Sequence, residues 1–282
     1  MSQRTNSLMD KLKNVRRQTG IDTQILLKKY FIDCLLELIS QSDYSSNFIW
    51  KGGFILSSIA GIARRTTIDV DSVFRKAELT QAGIKEIFEE ITFDKEIRGV
   101  SFEIAAINQI MEEKVYPGFR IFIIAKLENI KDRFHLDVST GEKIFPPAVR
   151  YTYQPTIAKD PSFELFVYST ERMLAEKLQT ILVRGTVNTR SKDFYDIWLI
   201  SQLEVIDVPL FVETFHAVIV ERKSLNDFEG WEEILEDVQE SVILLNRWDK
   251  YCKENQYVGS VSFLDTLEKV RKWFVLVSER ME

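Results

Sequence analysis

A chain of 282 residues is long enough for one large domain or two smaller ones, and 45% hydrophobic and 28% charged residues are ordinary for a soluble globular protein. The formal net charge of −6 argues against a general affinity for nucleic acid, although a local basic surface is compatible with it. The sequence has two cysteines, no signal-peptide pattern at its start and no apolar run of the ~20 residues that cross a bilayer. We therefore expect a cytoplasmic protein without a membrane segment.

The first part of the chain predicts a domain of mixed helices and strands. Residues 1–20 form a polar N-terminal segment, and an amphipathic helix follows over 23–41, because its apolar residues recur at helical spacing. From 46 to 140 strand and helix patterns alternate, which predicts a sheet with helices against it. We extend this domain over 21–162, to the end of a stretch that contains four prolines and little regular pattern.

Two adjacent glycines separate the first predicted strand from the next predicted helix. The apolar run 48–50 is typical of a buried strand, Gly52 and Gly53 follow it, and 54–62 has the pattern of a helix. The backbone N–H groups of such a turn, where a helix begins, can bind a phosphate group. Taken alone, a pair of glycines is more often an ordinary turn.

Two aspartates follow this predicted helix. The stretch 67–71 predicts a strand on which Asp69 and Asp71 share one face, while Ile68 and Val70 point into the core. Carboxylates roughly 6–7 Å apart along a strand repel each other, and a divalent cation is the usual way to stabilise them. An Asp-x-Asp strand alone is more often a solvated face, but a glycine turn followed by this strand indicates nucleotide chemistry.

A later pair of strands supplies a third carboxylate. Residues 119–127 and 133–139 predict these strands, and the second alternates so that His135, Asp137 and Ser139 share a polar face. On spacing alone, Asp137 is an ordinary surface aspartate.

The remainder of the chain, 163–282, predicts a mainly helical domain. One helix begins after Ser169, a residue suited to cap it, and ends at Gly185. Lys177 lies in the middle of this helix among apolar neighbours, and we expect its ammonium group to reach out toward a site rather than to be buried.

A basic loop and an acidic helix follow. The loop 184–192 contains three basic residues and no acidic one, a composition that suits a polyanion. The next helix carries Asp193 and Asp196 three residues apart, on one side.

These motifs together resemble one family. After the glycine pair and the Asp-x-Asp strand come three further motifs. They are the string AEKL, which contains Lys177, a loop with arginines, and the string KDFYDIW, which begins at Lys192. This combination resembles the AbiEii-type nucleotidyltransferase toxins of type IV toxin–antitoxin and abortive-infection systems, within the nucleotidyltransferase superfamily. The resemblance extends over about 25–200, and the combination of motifs is specific.

The resemblance implies an α+β fold, in which a nucleotidyltransferase-like mixed sheet with flanking helices precedes a mainly helical C-terminal half that contributes lysine and aspartate to the site. It implies metal-dependent transfer of a nucleotide monophosphate from an NTP, with Mg²⁺ or Mn²⁺ as the cofactor. The implied acceptor is RNA, in particular the 3′ end of tRNA, and the implied protein partner is a cognate antitoxin. The expected consequence is growth arrest.

The resemblance also assigns roles to individual residues. The metal ligands would be Asp69, Asp71 and Asp137, and Asp137, the acid on the later strand, would share a metal ion or accept the proton of the attacking hydroxyl group. The nucleotide would be bound by Gly52, Gly53, Ser57, Arg65, Lys177 and Asp193. The catalytic set would contain the three metal-binding aspartates with Lys177 and Asp196.

Two other functions fit the same motifs. A small-molecule nucleotidyltransferase of the antibiotic-modifying type would share the acids and take a compact cationic acceptor, so competition between tRNA and small aminoalcohols distinguishes it. A catalytically silent nucleotide- or partner-binding module would arise if Phe54, at a position where the family commonly has a small residue, blocked the phosphate site. Binding of NTP without turnover on any acceptor would identify that module.

Overall fold

The computed structural model describes residues 3–75, 79–110, 118–141, 143–203 and 205–281. The chain forms two compact units, one of Met1–Lys143 with Ala148–Val167 and the other of Ile144–Pro147 with Tyr168–Glu282. The first unit contains a mixed sheet with helices and the second is helical, so the predicted α+β class is confirmed.

The first unit is built on one sheet. Its helices are α1 (Gln3–Thr19), α2 (Thr23–Ser40), α3 (Gly52–Ala60) and α4 (Gln81–Thr92). Its strands are β1 (Phe48–Lys51), β2 (Val70–Phe74), β3 (Glu96–Ile97), β4 (Val100–Ile110), β5 (Gly118–Leu127), β6 (Ile130–Thr140), β7 (Val149–Tyr153) and β8 (Phe163–Val167). The strand order is β3-β4-β5-β6-β2-β1-β8-β7, with β2–β6 and β1–β8 parallel and the other neighbours antiparallel.

The two faces of the sheet differ in burial because side chains alternate along each strand. On β5 and β6 the apolar face is fully buried, as Ile121, Ile123, Leu136 and Val138 illustrate. Helix α2 packs against β3, β4, β6 and β8 and is buried over most of its length. The opposite face, which carries Asp137, is half-buried.

The N-terminal segment is helical. Residues 1–20, predicted as a polar segment with no element assigned, contain helix α1 over Gln3–Thr19. Leu8 and Leu12 lie one turn apart and are buried, and α1 packs on α2. Two well-placed leucines are therefore enough to fix an otherwise polar helix.

The predicted strand 67–71 is displaced along the chain. Strand β2 begins at Val70, and Ile68, expected in the core, is 39% exposed. The hydroxyl group of Thr67 accepts a hydrogen bond from the backbone N–H of Asp69 (3.1 Å). This local bond offers the backbone an alternative to strand pairing, which explains why the strand begins later.

The second unit is helical. Its helices are α5 (Thr170–Arg184), α6 (Ser191–Gln202), α7 (Val208–Glu221), α8 (Leu225–Glu229), α9 (Trp231–Glu240), α10 (Val242–Glu254) and α11 (Phe263–Met281). Ser169 caps α5 by accepting a hydrogen bond from the N–H of Arg172, and Gly185 ends it. Among the described residues, no helix has both the length and the apolar character needed to span a membrane.

Candidate active site

A row of charged side chains crosses the centre of the sheet. In the strand register Lys51 is paired with Asp71, Asp71 with Asp137, and Asp137 with Arg120. Residues paired across neighbouring strands point to the same face, and all four of these are half-buried. We call Lys51, Asp71, Asp137 and Arg120 the charged row. It brings two of the three predicted acids together.

The glycine turn lies directly against one end of this row. Gly52 has φ = 74°, and a Cβ atom at this position would lie 2.9 Å from the carboxylate Oδ2 of Asp71. The backbone conformation and the close approach both require glycine. Because Gly52 also begins α3, the first N–H groups of that helix lie next to the carboxylate strand.

The second glycine makes room for a buried arginine. A Cβ atom at Gly53 would lie 2.9 Å from Nη2 of Arg65, which is 3% exposed. Ser57, also buried, donates its hydroxyl hydrogen to the backbone carbonyl of Arg65 (2.5 Å). Arg65 in turn donates to the carbonyl of Thr66 (2.8 Å). Arg65 and Ser57 therefore support the turn from within the protein.

The third acid is bound to an arginine that the sequence analysis did not identify. Arg120 donates from Nε to Oδ1 of Asp137 (2.8 Å) and from Nη2 to Oδ2 (2.7 Å). The hydrogen bonds to Asp137 raise the pKa of Arg120, and the negative charges of Asp137, Asp69 and Asp71 add to the effect. All three predicted acids thus act on one guanidinium group, although Asp69 precedes β2 and is exposed.

The donor chemistry of Asp69 and Asp71 fits a divalent cation. Carboxylate oxygens are the ligands that Mg²⁺ and Mn²⁺ prefer. In the part of the chain that the structure describes, however, no three His, Cys, Asp or Glu side chains are grouped as a metal site. Both oxygens of Asp137 accept hydrogen bonds from Arg120, so this carboxylate is paired with a positive charge.

Phe54, the bulky residue after the glycines, is part of the core. Its ring is 1% exposed and stacks on Tyr153, with centroids 5.7 Å apart. The Tyr153 hydroxyl donates to Asp33 (2.6 Å), and the ammonium group of Lys29 lies 4.9 Å from the Phe54 centroid. Burial lowers the pKa of Lys29, an effect that Asp33 opposes and Arg65 reinforces. The ring therefore contributes to packing beneath the turn.

The second unit contains a separate ionic cluster. Lys177 donates to Oδ1 of Asp193 (2.9 Å) and to Oδ2 of Asp196 (2.7 Å), and Arg190 lies 3.3 Å from Oδ2 of Asp193. The expectation that the Lys177 ammonium group reaches outward is wrong, because the residue is 9% exposed. Burial alone would lower the pKa of Lys177, but Asp193 and Asp196 outweigh it and raise the pKa. Participation of this cluster in nucleotide chemistry stays a prediction.

A mixed sheet with a glycine turn beside a carboxylate strand is the arrangement that the resemblance implies for a nucleotidyltransferase. The family described as "Nucleotidyl transferase AbiEii toxin, Type IV TA system" matches residues 33–268. The chain therefore belongs to the AbiEii nucleotidyltransferase toxin family, and the resemblance stated from the sequence is confirmed.

Two solved structures illustrate how far the similarity extends at the level of coordinates. A structure from H. pylori, solved as that of a candidate nucleotidyltransferase, is 13% identical and has a TM-score of 0.48, and the alignment covers 93% of this chain and 99% of that one. JHP933 from Helicobacter pylori is 11% identical with the same TM-score, and the alignment covers 93% and 96% of the two chains. No curated protein matches this chain.

Proposed function

We propose that this protein transfers a nucleotide monophosphate from an NTP to an RNA acceptor, the 3′ end of a tRNA, in a reaction that depends on Mg²⁺ or Mn²⁺. The observation that carries the proposal is the contact between the glycine turn and the carboxylate strand. Gly52 begins a helix whose N–H groups can bind phosphate, and Asp71 lies against it. Phosphate-binding and cation-binding groups are thereby adjacent, as transfer of a nucleotide from a triphosphate requires.

Asp69 and Asp71 would hold the cation, which when bound neutralises phosphate charge and activates the reacting oxygens. The N–H groups at the start of α3 orient the triphosphate, while Lys51 supplies positive charge at the same end of the charged row. The oxygen of an acceptor hydroxyl group forms the new bond to the α-phosphorus and gives up its proton, by way of a carboxylate of the site, to solvent. The bond from the α-phosphorus to the bridging oxygen breaks, and pyrophosphate leaves. Ser57 and Arg65 keep the turn in place from behind.

The RNA acceptor is supported by family membership and by local charge. The family description names a toxin of a type IV toxin–antitoxin system, and RNA modification would be one means of toxicity. The segment 184–192 contains Arg184, Arg190 and Lys192 and no acidic residue, and this basic excess favours a polyanion in spite of the net charge of −6. Arg190 already lies 3.3 Å from Asp193, so a bound polyanion would compete with that carboxylate for it. A cognate antitoxin completes the proposal.

The test is transfer of label from each α-³²P-labelled NTP to total cellular RNA in the presence of Mg²⁺, for the wild type and Asp71→Asn. We expect label in a tRNA-sized band for the wild type, and a loss of about 100-fold or more in the variant, as for removal of other groups that stabilise transition-state charge. Asp43→Asn is the matched control. Asp43 is an exposed aspartate that precedes β1, whereas Gly52 follows the other end of that strand.

Two outcomes would contradict the proposal. Full Mg²⁺-dependent transfer by Asp71→Asn would show that the Asp71 carboxylate is not needed for the reaction. Label that enters a small aminoalcohol but no RNA would identify a small-molecule nucleotidyltransferase instead. A silent binding module, the other alternative, has little support, because the ring of Phe54 is packed on Tyr153 in the core.

A further inference from the structure

Within the charged row, Arg120 and Asp137 form a bidentate ion pair. Both oxygens of the carboxylate accept a hydrogen bond from one guanidinium group, at 2.8 and 2.7 Å. Such paired, charge-assisted bonds fix the direction of the arginine as well as its charge. The Asp137 side chain is only 14% exposed, so water replaces these bonds poorly.

This contact affects what each of the two side chains can still bind. Each oxygen of Asp137 accepts a hydrogen bond from the Arg120 guanidinium group, so a cation at this carboxylate would lie beside a positive charge that already neutralises it. Arg120 uses two of the five N–H donors that a guanidinium group carries, and its side chain is 39% exposed. It can therefore keep Asp137 and still donate to a second anion.

The strand register indicates where this second anion would lie. Arg120 and Lys51 lie at opposite ends of the charged row, with Asp71 and the adjoining glycine turn on the Lys51 side. A triphosphate bound at the turn lies along the same face of the sheet. The negative charge of the triphosphate complements the guanidinium group, whose planar N–H donors match phosphate oxygens.

We propose that Asp137 is not a metal ligand but a positioning residue, which holds Arg120 so that its remaining N–H groups bind the phosphates of the NTP. The cation is then held by Asp69 and Asp71 alone among the three acids. This inference rests on the proposed function and names a residue, Arg120, that the glycine and Asp-x-Asp motifs do not contain.

The experiment separates binding of the cation from binding of the nucleotide. Mn²⁺ binding is measured without nucleotide, by electron paramagnetic resonance and calorimetry, and KM and kcat for NTP are measured separately. The variants are Asp71→Asn, Asp137→Asn, Arg120→Gln and the double variant Arg120→Gln/Asp137→Asn. The double variant removes the pair without changing the net charge, so a change in its Mn²⁺ affinity cannot be a long-range charge effect.

We expect the double variant to bind Mn²⁺ within about threefold of the wild type, and Asp71→Asn to bind it about tenfold or more weakly, as when metal sites lose supporting groups. Arg120→Gln should raise KM for NTP about tenfold or more, the usual effect of losing a hydrogen bond to a charged group. Asp137→Asn should raise KM similarly, because Arg120 is no longer held. Arg133→Gln is the matched control, since Arg133 is an exposed arginine on the same face of β6.

The results distinguish this inference from the proposed function. If the double variant loses Mn²⁺ affinity as Asp71→Asn does, while the wild type transfers nucleotide, Asp137 is a metal ligand and the inference is overturned although the function stands. An unchanged KM in Arg120→Gln would also overturn it. If the wild type neither binds Mn²⁺ nor transfers nucleotide, the proposed function fails and the inference fails with it.

Discussion

Single residues in this protein differ in how far their roles can be read from the sequence. The position of Asp71 has a local signal, because the aspartate follows the glycine turn in an Asp-x-Asp pattern, and its catalytic role stays a prediction. The burial of Lys177 had no such signal, since its two partners lie on another helix. The buried charges of Lys177, Asp193 and Asp196 stabilise one another. Removing one of them leaves a buried charge without its counter-charge, which is strongly unfavourable.

Replacing Lys177 with Met should therefore destabilise the second unit by about 3–5 kcal/mol, the cost of breaking a buried ion pair by removing one partner. Because the pKa of Lys177 is raised above 10.5, its contribution is fully present below that pH and is lost as pH rises through the folded-state value. Urea unfolding at pH 8 and about pH 11 measures both effects. The wild type should lose stability at the higher pH, and Lys177→Met should lose less.

Lys253→Met is the control for this prediction, since Lys253 is an exposed lysine on α10 of the same unit and should change stability by at most about 0.5 kcal/mol. Equal stability of Lys177→Met and the wild type would contradict the buried cluster. The comparison also matters for activity, because lost transfer in a Lys177 variant reports on catalysis only if the unit is still folded.

Arg120 shows what a linear pattern leaves out at this scale. It is a charged residue among the apolar residues at the centre of strand β5, which was a signal, but its partner is seventeen positions away on β6. Strand register decides that pairing, and a shift of one residue would move Arg120 to the other face. The assignment of Asp137 to a metal depended on the same unknown register.

At the scale of elements, helices with regular apolar spacing were predictable, whereas the largely polar helix α1 and the short edge strands were not. Helices α2, α5 and α6 lie close to their predicted positions because their apolar spacing is regular. Strand β7, inside the proline-containing stretch, has mostly exposed side chains at the end of the sheet and so shows no apolar alternation. Strand β2 begins later than predicted because the hydroxyl group of Thr67 accepts a hydrogen bond from the backbone N–H of Asp69.

The junction of β1 and α3 gives a prediction about an element boundary. Gly52→Ala should reduce transfer about tenfold or more, since the new Cβ atom would lie 2.9 Å from Asp71 Oδ2 and displace a carboxylate whose placement matters to within an ångström or less. The positive φ adds about 1–2 kcal/mol of strain. Steady-state transfer and thermal unfolding measure the two effects separately.

Gly20→Ala separates the effect of backbone strain from the effect of displacing the Asp71 carboxylate. Gly20 has the same φ of 74°, but a Cβ atom there meets nothing within 4 Å. This variant should lose a similar strain energy, about 1–2 kcal/mol, and keep the transfer rate of the wild type. If both variants lost transfer equally, backbone strain rather than the contact with Asp71 would explain the effect.

At the scale of the molecule, the division into a sheet unit and a helical unit was visible in the sequence, but the path of the chain was not. Residues Ile144–Pro147 belong to the second unit, and the chain then returns to the sheet as β7 and β8. The carbonyl of Phe145 accepts a hydrogen bond from Arg172 (3.5 Å). Such a long-range contact has no local signature, so composition places only the coarse boundary.

Each unit has its own core, which leads to a prediction about cooperativity. In the second unit the ring of Phe274 is 1% exposed and contacts the rings of Phe215, Phe228 and Trp231. Phe274→Ala should cost about 3–5 kcal/mol, as large-to-small core substitutions do. Because separate cores open as separate cooperative units, amide hydrogen exchange should accelerate in α7, α9 and α11 while β5 and β6 keep their protection. Equal loss of protection in both units would instead identify one cooperative fold, and the acids of the sheet could then not be studied independently of the lysine cluster.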